Sequence, residues 1–224
     1  MSTAGPSSVA PVCFINLRSQ SSSPTRTFAV YFLPESFTEN RQLSRVTLPS
    51  TISPERILLI GFMGSGKSSI ATALSAQIGL PLYDMDQLVL ANSGCSSISE
   101  IFEKHGEDRF RDLETAVASD LQQVQSGVIS TGGGVVKRSE NRALLCLPNT
   151  AVVFLRTSFE SINRRIAQLQ DRPLFRDRVQ AEDLLRHRTP AYEAWATITV
   201  DTDDRTPAQI CDAIIDLMAS PAHG

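Results

Sequence analysis

The sequence predicts an α/β domain built on a five-stranded parallel sheet, and three observations predict it. From Pro54 onward, short apolar runs alternate with segments of helical period. The first run, Arg56-Ile-Leu-Leu-Ile60, reads as a buried strand. Its immediate sequel is rich in glycine and passes straight into a helical pattern. Alternation of this kind implies a parallel sheet with helices on both faces.

The elements follow in order. After the first strand, Ile70, Leu74 and Ile78 mark one face of a helix that Gly79 ends. Pro81-Leu-Tyr-Asp84 is a second short strand. Ser97-x-x-Glu100 is a capping-box signature for a short helix closed by Gly106. A longer helix then carries Phe110, Leu113, Val117, Leu121 and Val124 as its apolar stripe. Val128-Ile-Ser-Thr131 is the third strand and runs into Gly132-Gly-Gly134. A helix near Ser139 to Leu147 leads to the fourth strand, Ala151-Val-Val-Phe-Leu155. Ser158 caps a helix bearing Ile162, Ile166 and Leu169. The polar, arginine-rich stretch from Asp171 to about Gln180 has no clear period and is expected to be a mobile loop. A helix near Glu182 to Trp195 precedes the fifth strand, Thr197-Ile-Thr-Val200. The last helix has Thr206 as cap and Pro207 at its first position, and is expected to bury Ile210, Ile214 and Leu217.

A chain of 224 residues suits one such domain plus an appendage. The boundary falls near residue 50. Residues 1–50 are rich in Ser, Thr and Pro, and no acid precedes Glu35. They are expected to be a disordered extension, a transit peptide, or the product of a misassigned start; residues 51–224 are expected to form the α/β domain. A formal charge of -3 argues against a nucleic-acid partner. Cys13, Cys95, Cys146 and Cys211 form no C-x-x-C pair, so neither a zinc site nor a disulfide framework follows. The longest apolar runs fall well short of the about 18 residues a membrane span needs.

Gly61-Phe-Met-Gly-Ser-Gly66-Lys67-Ser68 matches G-x-x-x-x-G-K-[ST] completely, between a strand and a helix as the motif requires. Glycines let backbone N–H groups turn inward onto phosphate oxygens, and the helix N-terminus adds its partial positive charge. Lys67 would neutralise the β- and γ-phosphates, and the Ser68 hydroxyl would ligate Mg²⁺. Nucleoside triphosphate binding follows.

A kinase also needs an acceptor site. Asp84 and Asp86, past the second strand, offer two carboxylates at i and i+2; if the backbone stays extended they share a side. A helix cap is the alternative reading of that pair. Arg111 stands three residues before Glu114, a spacing that can lock its guanidinium. Arg111 and Arg188 together could grip a substrate carboxylate, or could simply face solvent on amphipathic helices. Gly132-Gly-Gly134 would allow close backbone approach to a ligand, or be a plain turn.

In order and spacing these motifs resemble the shikimate kinase family over nearly all of residues 55–219. The matching segments are GFMGSGKSS, Asp84-x-Asp86, Gly106-Glu-Asp-Arg-Phe110-Arg111-Asp-Leu-Glu114, Thr131-Gly-Gly-Gly134, Arg172-Pro-Leu174 and Arg188-Thr-Pro-Ala-Tyr192. The resemblance implies a nucleoside-monophosphate-kinase-like P-loop NTPase fold, a three-layer sandwich with a mobile lid. It implies transfer of the ATP γ-phosphate to the shikimate 3-hydroxyl. Asp86, Lys67 and Arg172 would be the catalytic residues, Asp86 as base and Arg172 reaching the phosphates from the lid. ATP would be held by Gly64, Ser65, Gly66, Lys67, Ser68, Ser69 and Arg172, with Arg165 and Arg205 on the adenine side. Shikimate would meet Asp86, Arg111, Gly132, Gly133, Gly134 and Arg188. Mg²⁺ would bind Ser68 directly and Asp84 through water.

A monomer is expected, since no extra apolar stripe asks for a partner, and reduced thiols fit the cytoplasm, or the plastid stroma if residues 1–50 are a transit peptide. The chain departs from the family pattern in a short stretch between Arg172 and Arg188, and in Phe175 and Ala191, where leucine is usual. A gluconate-type or nucleoside-monophosphate kinase would share the phosphate loop but not this acceptor set. A non-catalytic nucleotide-binding module would not need Lys67, Ser68, Asp86 and Arg111 intact.

Overall fold

The computed structural model describes residues 12–16, 27–31, 55–167 and 178–219. Its sheet has the order β1-β2-β4-β5-β3-β6-β7. Five strands are parallel: β3 (Arg56–Ile60), β4 (Leu82–Asp84), β5 (Gly127–Ser130), β6 (Thr150–Arg156) and β7 (Ile198–Asp201). These are the five expected strands, shifted by a residue or two at their ends. Strands β1 (Val12–Asn16) and β2 (Thr27–Tyr31) pair with each other in antiparallel fashion, and Tyr31 of β2 lies opposite Leu82. The sequence reading leaves both inside a disordered extension. Val12-Cys-Phe-Ile15 and Phe28-Ala-Val-Tyr31 are short runs of strand-favouring residues, too brief to set up a period of their own.

Every residue of β3 is buried, because the sheet is covered on both sides. Ile57 and Leu59 pack on one face with α1 (Lys67–Ile78) and α7 (Pro207–Ala219). Leu58 and Ile60 pack on the other with α2 (Met85–Ser93), α3 (Ile98–Leu121) and α6 (Arg178–Trp195). The alternation along one strand thus divides the core into the two apolar layers of a three-layer sandwich. Among the described residues, no helix is long and apolar enough to cross a membrane.

Arg56 opens β3 at 2% exposure, a buried cation within the core layer. Its guanidinium donates to the carbonyls of Leu145 and, at 3.1 Å, Leu121, and to Thr150 Oγ1 at 2.6 Å. Leu121 ends α3, and Leu145 ends α4 (Ser139–Leu145). One cation therefore closes two helix C-termini, where unpaired carbonyls concentrate partial negative charge.

Caps follow the sequence with small adjustments. Ser97 Oγ accepts from the Glu100 N–H at 3.1 Å, while the Glu100 carboxylate reaches back to Ser96 N at 2.7 Å, not to Ser97. Thr206 and Gln209 form a reciprocal pair at the start of α7, with Pro207 at its first position. Ser158 caps α5 (Phe159–Ile166) through the Ser161 N–H. Gly106, at φ 79°, breaks α3 into the two helical stretches expected from its position.

Three expectations are corrected. Leu217 is 48% exposed, since α7 buries Ile210, Cys211 and Ile214, which turns position 217 outward. Helix α4 stops at Leu145, two residues early, where the Cys146 N–H bonds the Arg142 carbonyl. Arg178, Val179 and Gln180, expected in a loop, already belong to α6. Arg172, Phe175 and the rest of residues 171–177 lie outside the described residues, as does Leu169 of the α5 stripe.

Candidate active site

The phosphate loop leaves the carboxyl end of β3, the middle one of the five parallel strands, where parallel sheets place their ligands. Gly64 and Gly66 hold φ of 78° and 93°, a left-handed region that favours glycine, and Gly66 is the N-cap of α1. Ser65 is buried and its N–H closes a turn onto the Phe62 carbonyl at 3.2 Å. Lys67 is buried too, and its Nζ donates to the carbonyls of Gly61 and Phe62, both at 2.8 Å. Ser68 and Ser69 open α1 on its exposed side. The whole expected set from Gly64 to Ser69 therefore lies on one loop and one helix turn.

Arg165, on α5, spans from this loop to the residue just past β7. It donates to the Ser65 carbonyl at 3.2 Å, and to the hydroxyl and carbonyl of Thr202 at 3.1 and 2.6 Å. Beside it lies a cleft of about 270 Å³ lined by Ser161, Arg164, Arg165, Asp204 and Arg205. Arg165 and Arg205, paired in sequence only through a loose match, thus share one wall next to the phosphate loop.

On the acceptor side, Asp84 and Asp86 take different positions. Helix α2 starts at Met85, so the extended backbone that would align the two carboxylates ends at Asp84. Asp84 is the N-cap, accepting from the Gln87 N–H at 3.2 Å. Asp86 sits in the first helical turn and is exposed. A side-chain carbon placed on Gly132 would lie 2.9 Å from Asp86 Oδ1 and 2.8 Å from Glu114 Oε1. The two carboxylates converge there.

Arg111 is buried, and its Nη1 donates to Glu114 Oε2 at 2.8 Å, the i, i+3 lock expected from the spacing. Its Nε and Nη2 donate to Glu107 Oε1 at 3.2 and 3.0 Å. Arg188, on α6, donates to the Gly133 carbonyl at 3.1 Å and lies 5.8 Å from the centre of the Phe62 ring. Tyr192 Oη donates to the same carbonyl. Burial pushes the Tyr192 phenol up to about 12, against the pull of Arg188, so it stays a donor. The two arginines thus approach the glycine triplet from different helices.

The triplet is packed on all sides. A side-chain carbon on Gly133 would stand 3.0 Å from the Met63 backbone nitrogen, so the glycine triplet abuts the phosphate loop. On Gly134 it would overlap the Arg111 guanidinium. Gly134→Ala is therefore expected to displace Arg111 and raise the KM for an acidic acceptor about tenfold to a hundredfold, with the KM for nucleotide unchanged. Steady-state kinetics with each substrate varied in turn checks this; an equal loss on both would place the damage in the fold instead.

Glu114 Oε1 is the group the sequence reading passed over. Glu114 is 1% exposed and this oxygen has no hydrogen-bond partner among the described residues, a costly arrangement for a buried carboxylate. Burial pushes its carboxyl up; Arg111 pulls it down, Asp86 pushes it up again and Arg188 opposes. In sequence Glu114 reads only as the partner of Arg111, and nothing local marks its second oxygen as facing the pocket. Tyr192 and Phe62 were likewise legible only as an aromatic in a motif and a loop residue. Arg172 lies outside the described residues. Among those described, no cluster of three or more His, Cys, Asp or Glu side chains could hold a metal by itself.

Known proteins show the same arrangement of sequence and fold. A family model described as shikimate kinase matches residues 63–219. A shikimate kinase of Dehalococcoides mccartyi is 40% identical over 164 residues, covering 71% of this chain and 91% of its own. One from Thioalkalivibrio sulfidiphilus is 43% identical over 152 residues, covering 66% and 78%. Among solved structures, a shikimate kinase from Acinetobacter baumannii in complex with shikimate superposes with a TM-score of 0.70 at 31% identity, over 76% of this chain and 96% of that one. The enzyme from Aquifex aeolicus gives 0.61 at 36%, over 73% and 95%. A family match that takes in residues 63–68 of the phosphate loop, both arginines and the glycine triplet assigns the protein: the chain belongs to the shikimate kinase family.

Proposed function

We propose that the protein transfers the γ-phosphoryl group of ATP to the 3-hydroxyl of shikimate, giving shikimate 3-phosphate and ADP. The observation that carries this is the contact between two sites: Gly133 packs against the phosphate loop while its carbonyl receives Arg188 and Tyr192. A carboxylate held by Arg111 and Arg188 would fix the acceptor ring, and Asp86 would face its hydroxyls. The acceptor oxygen forms its bond to phosphorus as the bond from phosphorus to the ADP oxygen breaks, and the hydroxyl proton passes to the Asp86 carboxylate. Lys67 neutralises charge on the phosphates, and Arg172 is assigned to the same task from the lid. Most of the acceleration then comes from positioning and electrostatics.

A divalent ion fits the donor set. Ser68 offers a hydroxyl at the helix start, and Asp84 keeps carboxylate capacity beyond its single cap bond, with phosphate oxygens and water completing the shell. When bound, Mg²⁺ would offset phosphate charge. Gly64 to Ser69 are the nucleotide contacts in this reading, with Arg165 and Arg205 beside the base. The protein is a monomer in this reading. Cys95, Cys146 and Cys211 are free thiols, in keeping with a reducing compartment such as the cytoplasm. A plastid address would rest on residues 1–50.

The test is ADP release from purified protein with MgATP, with and without shikimate, and with gluconate and nucleoside monophosphates in parallel. Turnover that requires shikimate alone is the expected result. Turnover with another acceptor, or none, overturns the reading.

A further inference from the structure

Arg111 carries five N–H donors. Three are committed: one on Nη1 to Glu114, and those of Nε and one Nη2 to Glu107 Oε1. The same Glu107 oxygen receives Lys137 Nζ at 2.6 Å. Lys137 ends the short 3₁₀ turn that directly follows Gly134. One oxygen therefore gathers three donors from two cations, one on α3 and one on the turn after Gly134. Glu107 is also the first residue after the break at Gly106, so the second half of α3 restarts on this carboxylate. Glu107 and Lys137 are 46% and 40% exposed. Ion pairs at that exposure add little to stability, so stability alone does not explain why this one meets on an arginine edge.

A single partner, Glu114, would leave the guanidinium plane free to turn about one bond. A second carboxylate on the opposite edge removes that freedom. Resting on the assignment of Arg111 to the acceptor carboxylate, we propose that Glu107, held by Lys137, is a positioning residue that sets the Arg111 plane so its two remaining N–H donors form a ready fork for that carboxylate. Lys137 supplies the charge that offsets Glu107, leaving Arg111 attractive to an incoming anion. The Lys137 contact, opposed by burial and joined by Arg111, holds the Glu107 carboxyl below the usual carboxylate range, which keeps it an acceptor near neutral pH.

The experiment compares wild type, Glu107→Ala, Glu107→Gln and Lys137→Met for kinetics with MgATP and shikimate. Calorimetric binding of shikimate and of its neutral methyl ester is measured in parallel. Glu107→Ala is expected to raise the shikimate KM about tenfold, with kcat and the ATP KM within about twofold. Glu107→Gln, whose amide oxygen can still accept, should recover most of that loss. Lys137→Met, at the surface, should show a smaller rise of about threefold confined to shikimate. The methyl ester, which offers no carboxylate, should bind wild type and Glu107→Ala alike. An unchanged shikimate KM in Glu107→Ala, a parallel fall in kcat, or an equal loss of ester binding overturns the proposal while leaving the kinase reading intact. If wild type itself ignores shikimate, the kinase reading fails and takes this inference with it.

Discussion

In Asp86→Asn, kcat is expected to fall by roughly 10²–10⁴-fold, while shikimate still binds. Asn keeps the shape of the side chain and an acceptor oxygen, but cannot take the hydroxyl proton. The structure gives Asp86 a fixed base: it is the second residue of α2, directly after Met85, which is fully buried and anchors the helix start. Its Oδ1 and Glu114 Oε1 approach the same point beside Gly132, yet Asp86 is exposed and Glu114 is buried. Two carboxylates in such unlike surroundings are suited to different tasks. The exposed one can meet a substrate hydroxyl and exchange its proton with water afterwards. The check is kcat at saturating substrates together with its pH profile, since loss of a base also removes the acidic limb of that profile. A wild-type kcat in Asp86→Asn would end its role as base.

That assignment began from an acidic pair at a strand end, and the structure separates the pair. Sequence spacing placed Asp84 and Asp86 near the site but could not say where β4 would stop. The helix begins between them, so Asp84 becomes a cap and Asp86 alone faces the glycine triplet. The Arg111–Glu114 lock, by contrast, was legible because i, i+3 neighbours on a helix meet whatever the rest of the fold does. The phosphate loop was legible for a similar reason: its function is carried by consecutive backbone groups.

Contacts between distant segments carried no such signal. Gly133 receives Arg188 across 55 residues, and Arg56 caps α4 across 89. Gly134 looks like any turn glycine until Arg111 is packed against it. The buried oxygen of Glu114 depends on three elements at once, α2, α3 and the triplet, and no periodicity encodes it. Leu217 shows the same limit in the core, where a one-position choice of apolar face depends on which residues α1 presents to α7. The five parallel strands and their helices were readable because burial on two faces imposes a pattern along each strand. The strands at 12–16 and 27–31 were not, since each is shorter than the pattern needed to announce it.

Lys67→Ala is expected to cut turnover by roughly 10³-fold or more, on the scale of losing a group that stabilises charge in the transition state. The geometry predicts a second effect. Lys67 Nζ donates to Gly61 and Phe62 carbonyls and reaches Ser65 Oγ at 3.4 Å, all inside a loop whose Gly61, Phe62 and Ser65 are buried. Removing the ammonium leaves the Gly61 carbonyl short of a donor and the Phe62 carbonyl with the Ser65 N–H, at a cost of about 1–3 kcal/mol. A lower Tm should therefore accompany the lost activity, and a simple loss of turnover would not distinguish a missing charge from a collapsed loop. Lys67→Arg separates them. Its guanidinium keeps the charge and can serve the carbonyls, restoring much of the Tm, but its planar fork does not reproduce a compact ammonium among phosphate oxygens. If the lysine acts on the phosphates, Lys67→Arg stays impaired in turnover despite a near-wild-type Tm. If both variants turned over at wild-type rate, the assignment of Lys67 to the phosphates would fall. Activity that returned together with Tm would instead assign Lys67 to holding the loop in shape.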